Sequence, residues 1–425
     1  MTGPLATSTF DAVAVVLGAM LVAGALVAGL ARRTFLSLTA LFVFGGFVLG
    51  HGVLDVLRFD PRSGFVASLA LVALIVILFR DGLEVEAEML QTAWHLPLRK
   101  LVLAMPITAG LVACATKLFT DLSWTEAFLV GALLSPTDPV LSSNVVTNPR
   151  VPRVIRHSLN LESGLNDGLA LPAVLALAAA LDARGGHFVW WRFVLEDVTI
   201  GLAAGVVVGF AAARLLPLRR ALGAEVTAHQ KSMYALGTAF VAYGVAVLPP
   251  RGNGLIATFV AAIVIGILRP DVRGSFVARA EDIIEVVKLG VFVVFGALLT
   301  FHGLFQDGAD ALAIAAFTLL VARPAAVFAA LTGTTTDLET RGFMAWFGPK
   351  GVATMTFALL VLSRDIEDAG RIFNIAALAV LVSILAHGAT DVAGVDWIAR
   401  RMARAEAAAS DAEPVEGAGS RARAP

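Results

Sequence analysis

Long apolar runs alternate with short charged or turn-rich breaks along most of this chain. The runs hold about 18–22 residues, the length that an α-helix needs to cross the hydrocarbon core of a bilayer. A transmembrane β-barrel would instead show alternating segments of about ten residues. The pattern therefore predicts an all-α polytopic membrane protein.

The breaks divide the chain into about thirteen predicted transmembrane helices. Their approximate cores, in chain order, are Ala12–Leu30, Leu36–Leu54, Phe65–Phe79, Leu101–Leu118, Trp124–Val145, Ser158–Leu181, Phe193–Leu215, Met233–Leu248, Leu255–Leu268, Lys288–Leu304, Ala311–Thr332, Phe343–Leu362 and Ile372–Ala389. Together they form one predicted transmembrane domain over residues 1–404. Residues 405–425 have no apolar periodicity, so we predict a disordered tail there.

The composition narrows the possible function classes. Hydrophobic residues make up 58% and charged residues 15% of the 425 residues, whereas soluble proteins carry about 25% charged residues. The 32 basic and 33 acidic residues leave a net charge of −1, which lacks the basic excess of nucleic-acid-binding proteins. We therefore exclude a soluble enzyme, a nucleic-acid partner and, because Cys114 is the single cysteine, a disulfide framework.

Loop charges predict the orientation in the cell membrane. With alternating topology, loop residues such as Arg99, Lys100 and Arg400 place basic charge on one side in an excess of about two to one. The side richer in Lys and Arg is the cytoplasmic one. The N-terminus is then outside and the C-terminus cytoplasmic, which requires an odd number of spans.

Two predicted spans are interrupted by helix-breaking residues, near Pro136–Pro139 and near Gly348–Gly351. They are the fifth and twelfth spans, so they lie seven apart and have opposite orientations. This spacing predicts two inverted six-helix repeats with broken helices at matching positions, the organisation of secondary transporters. The alternative is two unrelated proline kinks, since Pro and Gly are frequent in membrane helices.

Few ionisable residues lie at membrane depth, where a charge costs about 2.5–3.5 kcal/mol on insertion scales. They are Asp138, Glu162, Asp167, Arg323 and Lys350. Arg80 and Asp81 follow the third span, and we expect them in a solvated loop, although Asp81 is close enough in sequence to reach an ion path.

Asp138 lies in a segment suited to binding a cation. Pro136 and Pro139 on either side cannot donate backbone hydrogen bonds, so carbonyl groups one turn earlier are free to coordinate. Thr137 adds a hydroxyl oxygen, and hard cations prefer oxygen ligands. Asp138 is equally suited to capping a half-helix, and the two roles are compatible.

The sixth span contains two polar stripes. Ser163 and Asp167 lie four residues apart on one helix face, and Glu162 and Asn166 on a neighbouring face. Ser163 and Asp167 can coordinate an ion, while Glu162 and Asn166 can have a structural role. A desolvated Asp167 can hold either a proton or a cation, and this competition is sufficient to couple two fluxes.

The buried basic residues need partners, because an isolated buried charge is too costly. Glu162 is the best counter-charge for Lys350. Arg323 has Asp138 and Asp167 as possible partners, and whether Glu162 pairs with Lys350 or with Arg323 stays open. Snorkelling to the interface is the alternative for both basic residues.

Three segments resemble the motifs of the monovalent cation:proton antiporter family, and the electroneutral sodium/proton exchanger (NhaP-like) branch resembles this chain most. They are SPTDPV at Ser135–Val140, ESGLNDG at Glu162–Gly168 and FGPKG at Phe347–Gly351. The resemblance extends to span count and order over nearly the whole chain.

The resemblance implies roles for residues of this chain. Asp167 matches the ion- and proton-binding carboxylate, and Asn166 marks the electroneutral branch. Thr137, Asp138 and Ser163 match ion-coordinating or site-shaping positions. Glu162 matches a glutamate that pairs with a basic residue of the twelfth span, which is commonly Arg and is Lys350 here.

The resemblance also implies a homodimer with two parts. The ion-binding bundle would cover about residues 99–181 and 309–391, and the dimerisation part about residues 10–90 and 193–305. The expected activity is exchange of Na⁺ or K⁺ for H⁺, with no nucleotide or metal cofactor.

Two other classes remain as alternatives. An intramembrane aspartyl protease would also place two Asp residues in adjacent spans, but its usual Gly-x-Gly-Asp setting is absent around Asp138 and Asp167. A passive ion channel would conduct without coupling to a pH gradient.

Overall fold

The computed structural model describes residues 38–85, 95–138, 143–183, 188–216, 226–248 and 251–412, together with a few isolated positions before residue 38. Within these residues all regular elements are helices. The first predicted span, Ala12–Leu30, lies outside the described residues apart from those isolated positions, and so does Pro139.

The described helices are numbered here in chain order. They are α1 (Leu38–Leu49), α2 (Gly64–Glu84), α3 (His95–Phe119), α4 (Trp124–Leu134), α5 (Ser143–Thr147), α6 (Arg153–Leu181), α7 (Trp190–Leu215), α8 (Ala228–Val247), α9 (Gly254–Leu268), α10 (Pro270–Ala297), α11 (Phe301–Leu304), α12 (Ala309–Ala330), α13 (Leu338–Trp346), α14 (Val352–Leu362) and α15 (Ala369–Ala412).

Each predicted span from the second to the thirteenth coincides with one or more of these helices. Six described helices are long and apolar enough to cross a membrane, or up to seven if the bent pair Gly254–Leu268 and Pro270–Arg279 forms one span. The fold is therefore all-helical and polytopic as predicted, while the number thirteen stays a prediction.

Two helix ends differ from the prediction. Helix α2 continues to Glu84, so Arg80 and Asp81 belong to a helix and the predicted solvated loop at these two residues is wrong. Helix α15 continues to Ala412, so the first eight residues of the predicted tail are helical. Residues 413–425 lie outside the described residues.

The helices pack in two groups. One group holds α1, α2 and α7–α10, and the other holds α3, α4, α6 and α12–α15. Within the first group α7 approaches α9 closely, because a Cβ atom at Gly205 would lie only 2.6 Å from the Ala257 carbonyl oxygen. The groups meet where α2 packs against α6 and α14.

Among the three π-helical turns of the described residues, two lie in corresponding spans of the predicted repeats. They cover Lys100–Ala104 in α3 and Thr318–Ala322 in α12, which are the fourth and eleventh predicted spans. Each turn precedes a proline by two residues, Pro106 or Pro324. Proline lacks a donor N–H and its ring clashes with the carbonyl four residues earlier, which widens the preceding turn.

Candidate cation and proton site

The two broken helices cross at their breaks. Helix α4 ends at Leu134, and α14 begins at Val352 after the irregular segment that follows α13. The Asp138 backbone N–H donates to the Pro349 carbonyl oxygen at 2.8 Å, which joins the two breaks. The Thr354 hydroxyl donates to the Leu133 carbonyl oxygen at 3.0 Å, so the half-helices also contact each other beyond the crossing.

Charged side chains at the crossing match the ends of the half-helices. Lys350 is fully buried, and its Nζ donates to the carbonyl oxygens of Ser135 at 3.3 Å and Pro136 at 3.0 Å. These carbonyls lie at the negative C-terminal end of α4. Asp138 Oδ2 accepts from the Val352 N–H at 3.0 Å, at the positive N-terminal end of α14. Lys350 at the second break therefore stabilises the C-terminal end of α4, and Asp138 at the first break stabilises the N-terminal end of α14.

Gly351 is required by this crossing for steric reasons. A Cβ atom at this position would overlap the Asp138 side chain. The backbone of Gly351 has φ of −137°, a value that other residues also adopt. Glycine is therefore needed here because it has no side chain, and not because of its backbone conformation.

Asn166 and Thr137 connect the sixth span to the first break. Asn166 Nδ2 donates to both the carbonyl oxygen and the hydroxyl oxygen of Thr137, each at 2.9 Å. Thr137 is thereby held in place beside Asp138. These contacts join α6 to the segment that follows α4, and the structural role of Asn166 stays a prediction.

Glu162 bridges two buried basic residues. Its carboxylate accepts from Lys100 Nζ at 2.6 Å and from Arg323 Nη1 at 3.1 Å. The expected pair between Glu162 and Lys350 is wrong, because the Lys350 ammonium reaches the carbonyl end of α4 instead. Arg323 is 4% exposed, so snorkelling is also wrong for this residue, and its partner is Glu162 rather than Asp138 or Asp167.

Lys100 is a further residue of this cluster, and the loop position predicted for it is wrong. It is 1% exposed and also donates to the Ser158 carbonyl oxygen at 3.2 Å. A signal was present in the sequence, because LVLAMP at 101–106 and LLVARP at 319–324 are repeated segments in corresponding spans. Lys100 directly precedes the first segment and Arg323 lies within the second, and both basic residues contact Glu162.

Thr137, Asp138 and Ser163 come together around a small cavity of about 10 Å³. Leu159, Phe347 and Pro349 also line it. This volume is close to the minimum that holds a single water molecule. The cavity therefore has the oxygen ligands and the size scale of a site for one small ion.

Asp167 lies one helical turn after Ser163 but is not among the residues lining this cavity. It is 6% exposed, and its Oδ1 makes no hydrogen bond with the described residues. The charges of Asp81, Asp138, Lys288 and Arg80 act on it. A buried carboxylate oxygen without a donor is rare in folded proteins and requires an explanation.

Three of the charges near Asp167, those of Arg80, Asp81 and Lys288, come from the other helix group. Asp81 on α2 is 6% exposed and lies 3.4 Å from Arg80 in an ion pair. Lys288 on α10 is 8% exposed. Lys288 was not predicted as a buried charge, because it stands at the start of an apolar run, where interfacial lysines are common.

Comparisons with known proteins agree on one family. The model of the transmembrane sodium/hydrogen exchanger family matches residues 19–392. The K(+)/H(+) antiporter NhaP of Alkalimonas amylolytica is 26% identical over 366 residues, which cover 82% of this chain and 60% of that protein. The K(+)/H(+) antiporter NhaP2 of Shewanella sp. (strain ANA-3) is 24% identical over 381 residues, which cover 88% of this chain and 65% of that protein. This chain thus spans less than two thirds of the length of these relatives.

A solved structure shares the fold. The sodium proton antiporter MjNhaP1 from Methanocaldococcus jannaschii, solved at pH 8, matches with a TM-score of 0.79 at 17% sequence identity. The match covers 92% of this chain and 100% of that one.

Proposed function

Because the chain belongs to the sodium/hydrogen exchanger family, we propose that it exchanges Na⁺ or K⁺ for H⁺ across the cell membrane. The cation and the proton compete for Asp167. K⁺ is the first cation to test, since two of the relatives described above are named K(+)/H(+) antiporters.

The unpartnered Oδ1 of Asp167 carries this proposal. A buried carboxylate with a donorless oxygen is stabilised when a proton neutralises it or a cation lies beside it. Protonation removes the charge that attracts the cation, and a bound cation disfavours the proton. One side chain can therefore carry the two ions in alternation.

The remaining polar groups have supporting roles. Thr137, Asp138 and Ser163 provide oxygen atoms at the small cavity, and an ion passing between this cavity and Asp167 stays among oxygen ligands. Asp138 also caps α14, and Asn166 is an uncharged amide. Asp167 is then the single exchanging carboxylate of this span, which makes the exchange electroneutral with one cation per proton.

The assembly and orientation follow the same proposal. The basic loops place the C-terminus in the cytoplasm, and the chain forms a homodimer. The group of α1, α2 and α7–α10 provides the dimer contact. The group of α3, α4, α6 and α12–α15 carries the ion across.

Exchange by the purified full chain in proteoliposomes tests the proposal. A pH-sensitive dye inside the vesicles is followed after addition of Na⁺, K⁺ or Li⁺, with and without a membrane potential. Asp167→Asn should abolish cation-dependent proton flux, whereas Asp310→Asn, the same change at the exposed start of α12, should retain it. Normal exchange by Asp167→Asn, or flux that runs without coupling to pH, would refute the proposal.

A further inference from the structure

An open cavity of about 480 Å³ lies between α13 and α15 and shares Phe347 with the small ion cavity. Its lining includes the aromatic residues Phe343, Trp346, Phe347 and Trp397, together with Gly394. We call these five residues the aromatic cleft. The volume is in the range of known ligand sites, and Trp397 is 44% exposed at its mouth.

The cleft continues into a basic surface along α15. Arg400, Arg401 and Arg404 follow Trp397 by three, four and seven residues, so they lie on the same side of the helix. Arg401 pairs with Glu339 at the edge of the cleft, at 2.9 Å. Arg400 and Arg404 are exposed and form no ion pair with the described residues. The apolar cleft therefore ends at two arginines with available positive charge.

We propose that the aromatic cleft binds an acyl chain of an anionic phospholipid whose phosphate group lies against Arg400 and Arg404. Tryptophan followed by basic residues is the pattern of a membrane–water boundary. In the orientation proposed above, this end of α15 meets the cytoplasmic leaflet, which carries the anionic lipids that basic residues attract.

The charges at the edge decide between this ligand and a soluble aromatic cation. Glu339 lines the cleft and would attract a cation, but Arg401 already neutralises it. Arg400 and Arg404 then leave the edge positively charged. This balance favours a phosphate-bearing ligand and disfavours a cationic one.

Phe347 connects the aromatic cleft to the ion cavity. It lines both the cleft and the small cavity formed with Thr137 and Asp138. Its ring packs so tightly on α15 that a Cβ atom at Gly394 would overlap it. A lipid chain in the cleft therefore holds Phe347 against the ion cavity and favours cation binding there, a step that rests on the proposed exchange function.

Tryptophan fluorescence measures the binding step directly. The full chain in mixed micelles is titrated with phosphatidylglycerol carrying brominated acyl chains, because bromine quenches a nearby indole. We expect quenching that decreases in Trp397→Phe and needs higher concentrations when brominated phosphatidylcholine replaces phosphatidylglycerol. Inorganic phosphate should cause no change, because it cannot fill the cleft.

Two variants and a matched control distinguish binding of the acyl chain in the cleft from binding of the phosphate group at the arginines. Arg400→Gln/Arg404→Gln should weaken phosphatidylglycerol binding about 30-fold, since each basic residue near the surface contributes about fivefold. Ala393→Phe, which fills the cleft from an exposed position, should weaken binding of both lipids. Arg214→Gln/Arg279→Gln removes the same charge from other exposed positions and should change nothing. Equal binding of the two lipids, or wild-type binding by the Arg400/Arg404 variant, would overturn the proposal.

Exchange assays then test the link through Phe347. Phosphatidylglycerol in the vesicles should lower the KM for the cation about fivefold, the low end for coupled sites, and Ala393→Phe should lose this dependence. Asp167→Asn should still bind the lipid while exchanging nothing. Lipid binding without any effect on KM would overturn the link alone, and exchange by Asp167→Asn would instead overturn the proposed function.

Discussion

Glu162 and Asp167 are buried carboxylates five residues apart on the same helix, yet their surroundings differ. Glu162 accepts from Lys100 and from Arg323 at 2.6 and 3.1 Å. Asp167 has an oxygen with no donor among the described residues. The first carboxylate is fixed in its charged form by two cations, and the second can gain or lose a neutralising partner. A transporter needs both kinds, because the residues that bind and release an ion must be held by fixed contacts. We call these fixed contacts, made by Glu162 and by the crossing of the broken helices, the frame.

Glu162 obtains its two partners from two distant helices. Lys100 begins the π-helical turn of α3, and Arg323 directly follows that of α12. Glu162 thus joins one helix from each half of the chain. The crossing of the broken helices, with Asp138 on one end and Lys350 on another, gives the frame its second set of matched charges.

Neutralising each carboxylate in turn should give the largest difference in stability between the Glu162 and Asp167 positions. Glu162→Gln leaves two buried cations without a counter-charge, and removal of one partner from a buried ion pair costs about 3–5 kcal/mol. Asp167→Asn should leave the stability unchanged or raise it. Thermal unfolding in detergent measures both, and equal destabilisation by the two variants would remove the distinction.

Lys350 tests whether the frame depends on charges at helix ends. Lys350→Met removes the donor to the last carbonyls of α4, and loss of hydrogen bonds from a charged group costs about 1.5–3 kcal/mol. Lys231→Met, which breaks an exposed ion pair with Asp271, should cost about 0–1 kcal/mol. If the two variants unfold at the same temperature, Lys350 has no role in the frame.

Gly351 contributes to the crossing of the broken helices through its lack of a side chain. Gly351→Ala forces a methyl group into the Asp138 side chain, and overpacking of this kind costs about 1–3 kcal/mol. We expect slower exchange together with lower stability. Gly342→Ala is the control, because the nearest atom to its new Cβ belongs to Phe328 at 4.0 Å. Unchanged exchange by Gly351→Ala would contradict the geometry of the crossing.

Lys288 gives the smallest expected effect. Its positive charge acts on Asp167 from the other helix group and opposes a cation there. Lys288→Gln should lower the KM for the cation by roughly fivefold, which corresponds to about 1 kcal/mol of charge interaction. Lys288→Arg keeps the charge and should keep the KM. A higher KM in Lys288→Gln would show that Lys288 supports cation binding instead.

The sequence predicts the spans and the breaks because their causes are local. Apolar length predicts a membrane helix, and Pro136, Gly348 and Pro349 interrupt helices wherever they stand. The positions of Thr137, Asp138, Ser163 and Asp167 follow from these breaks and from helix spacing. The structure places three of these residues, Thr137, Asp138 and Ser163, around one small cavity, and their role as ion ligands stays a prediction.

The partners of the buried charges could not be predicted in the same way. Whether Glu162 meets Lys350 or Arg323 depends on how distant helices cross, which no local pattern records. Lys100 follows Arg99 at the start of an apolar run, so its sequence context is the same as that of an interfacial lysine. Its burial follows from packing against α6 and from the distant Glu162 carboxylate.

Proton release on cation binding tests directly whether the cation and the proton compete for Asp167. Detergent-solubilised protein in weakly buffered solution is mixed with K⁺ or Na⁺, and the pH change is recorded, because an ion that replaces a proton on its ligand releases that proton. The wild-type chain should release about one proton per bound cation, and Asp167→Asn should release none. Equal proton release by the wild-type chain and Asp167→Asn would show that the two ions do not compete for this carboxylate.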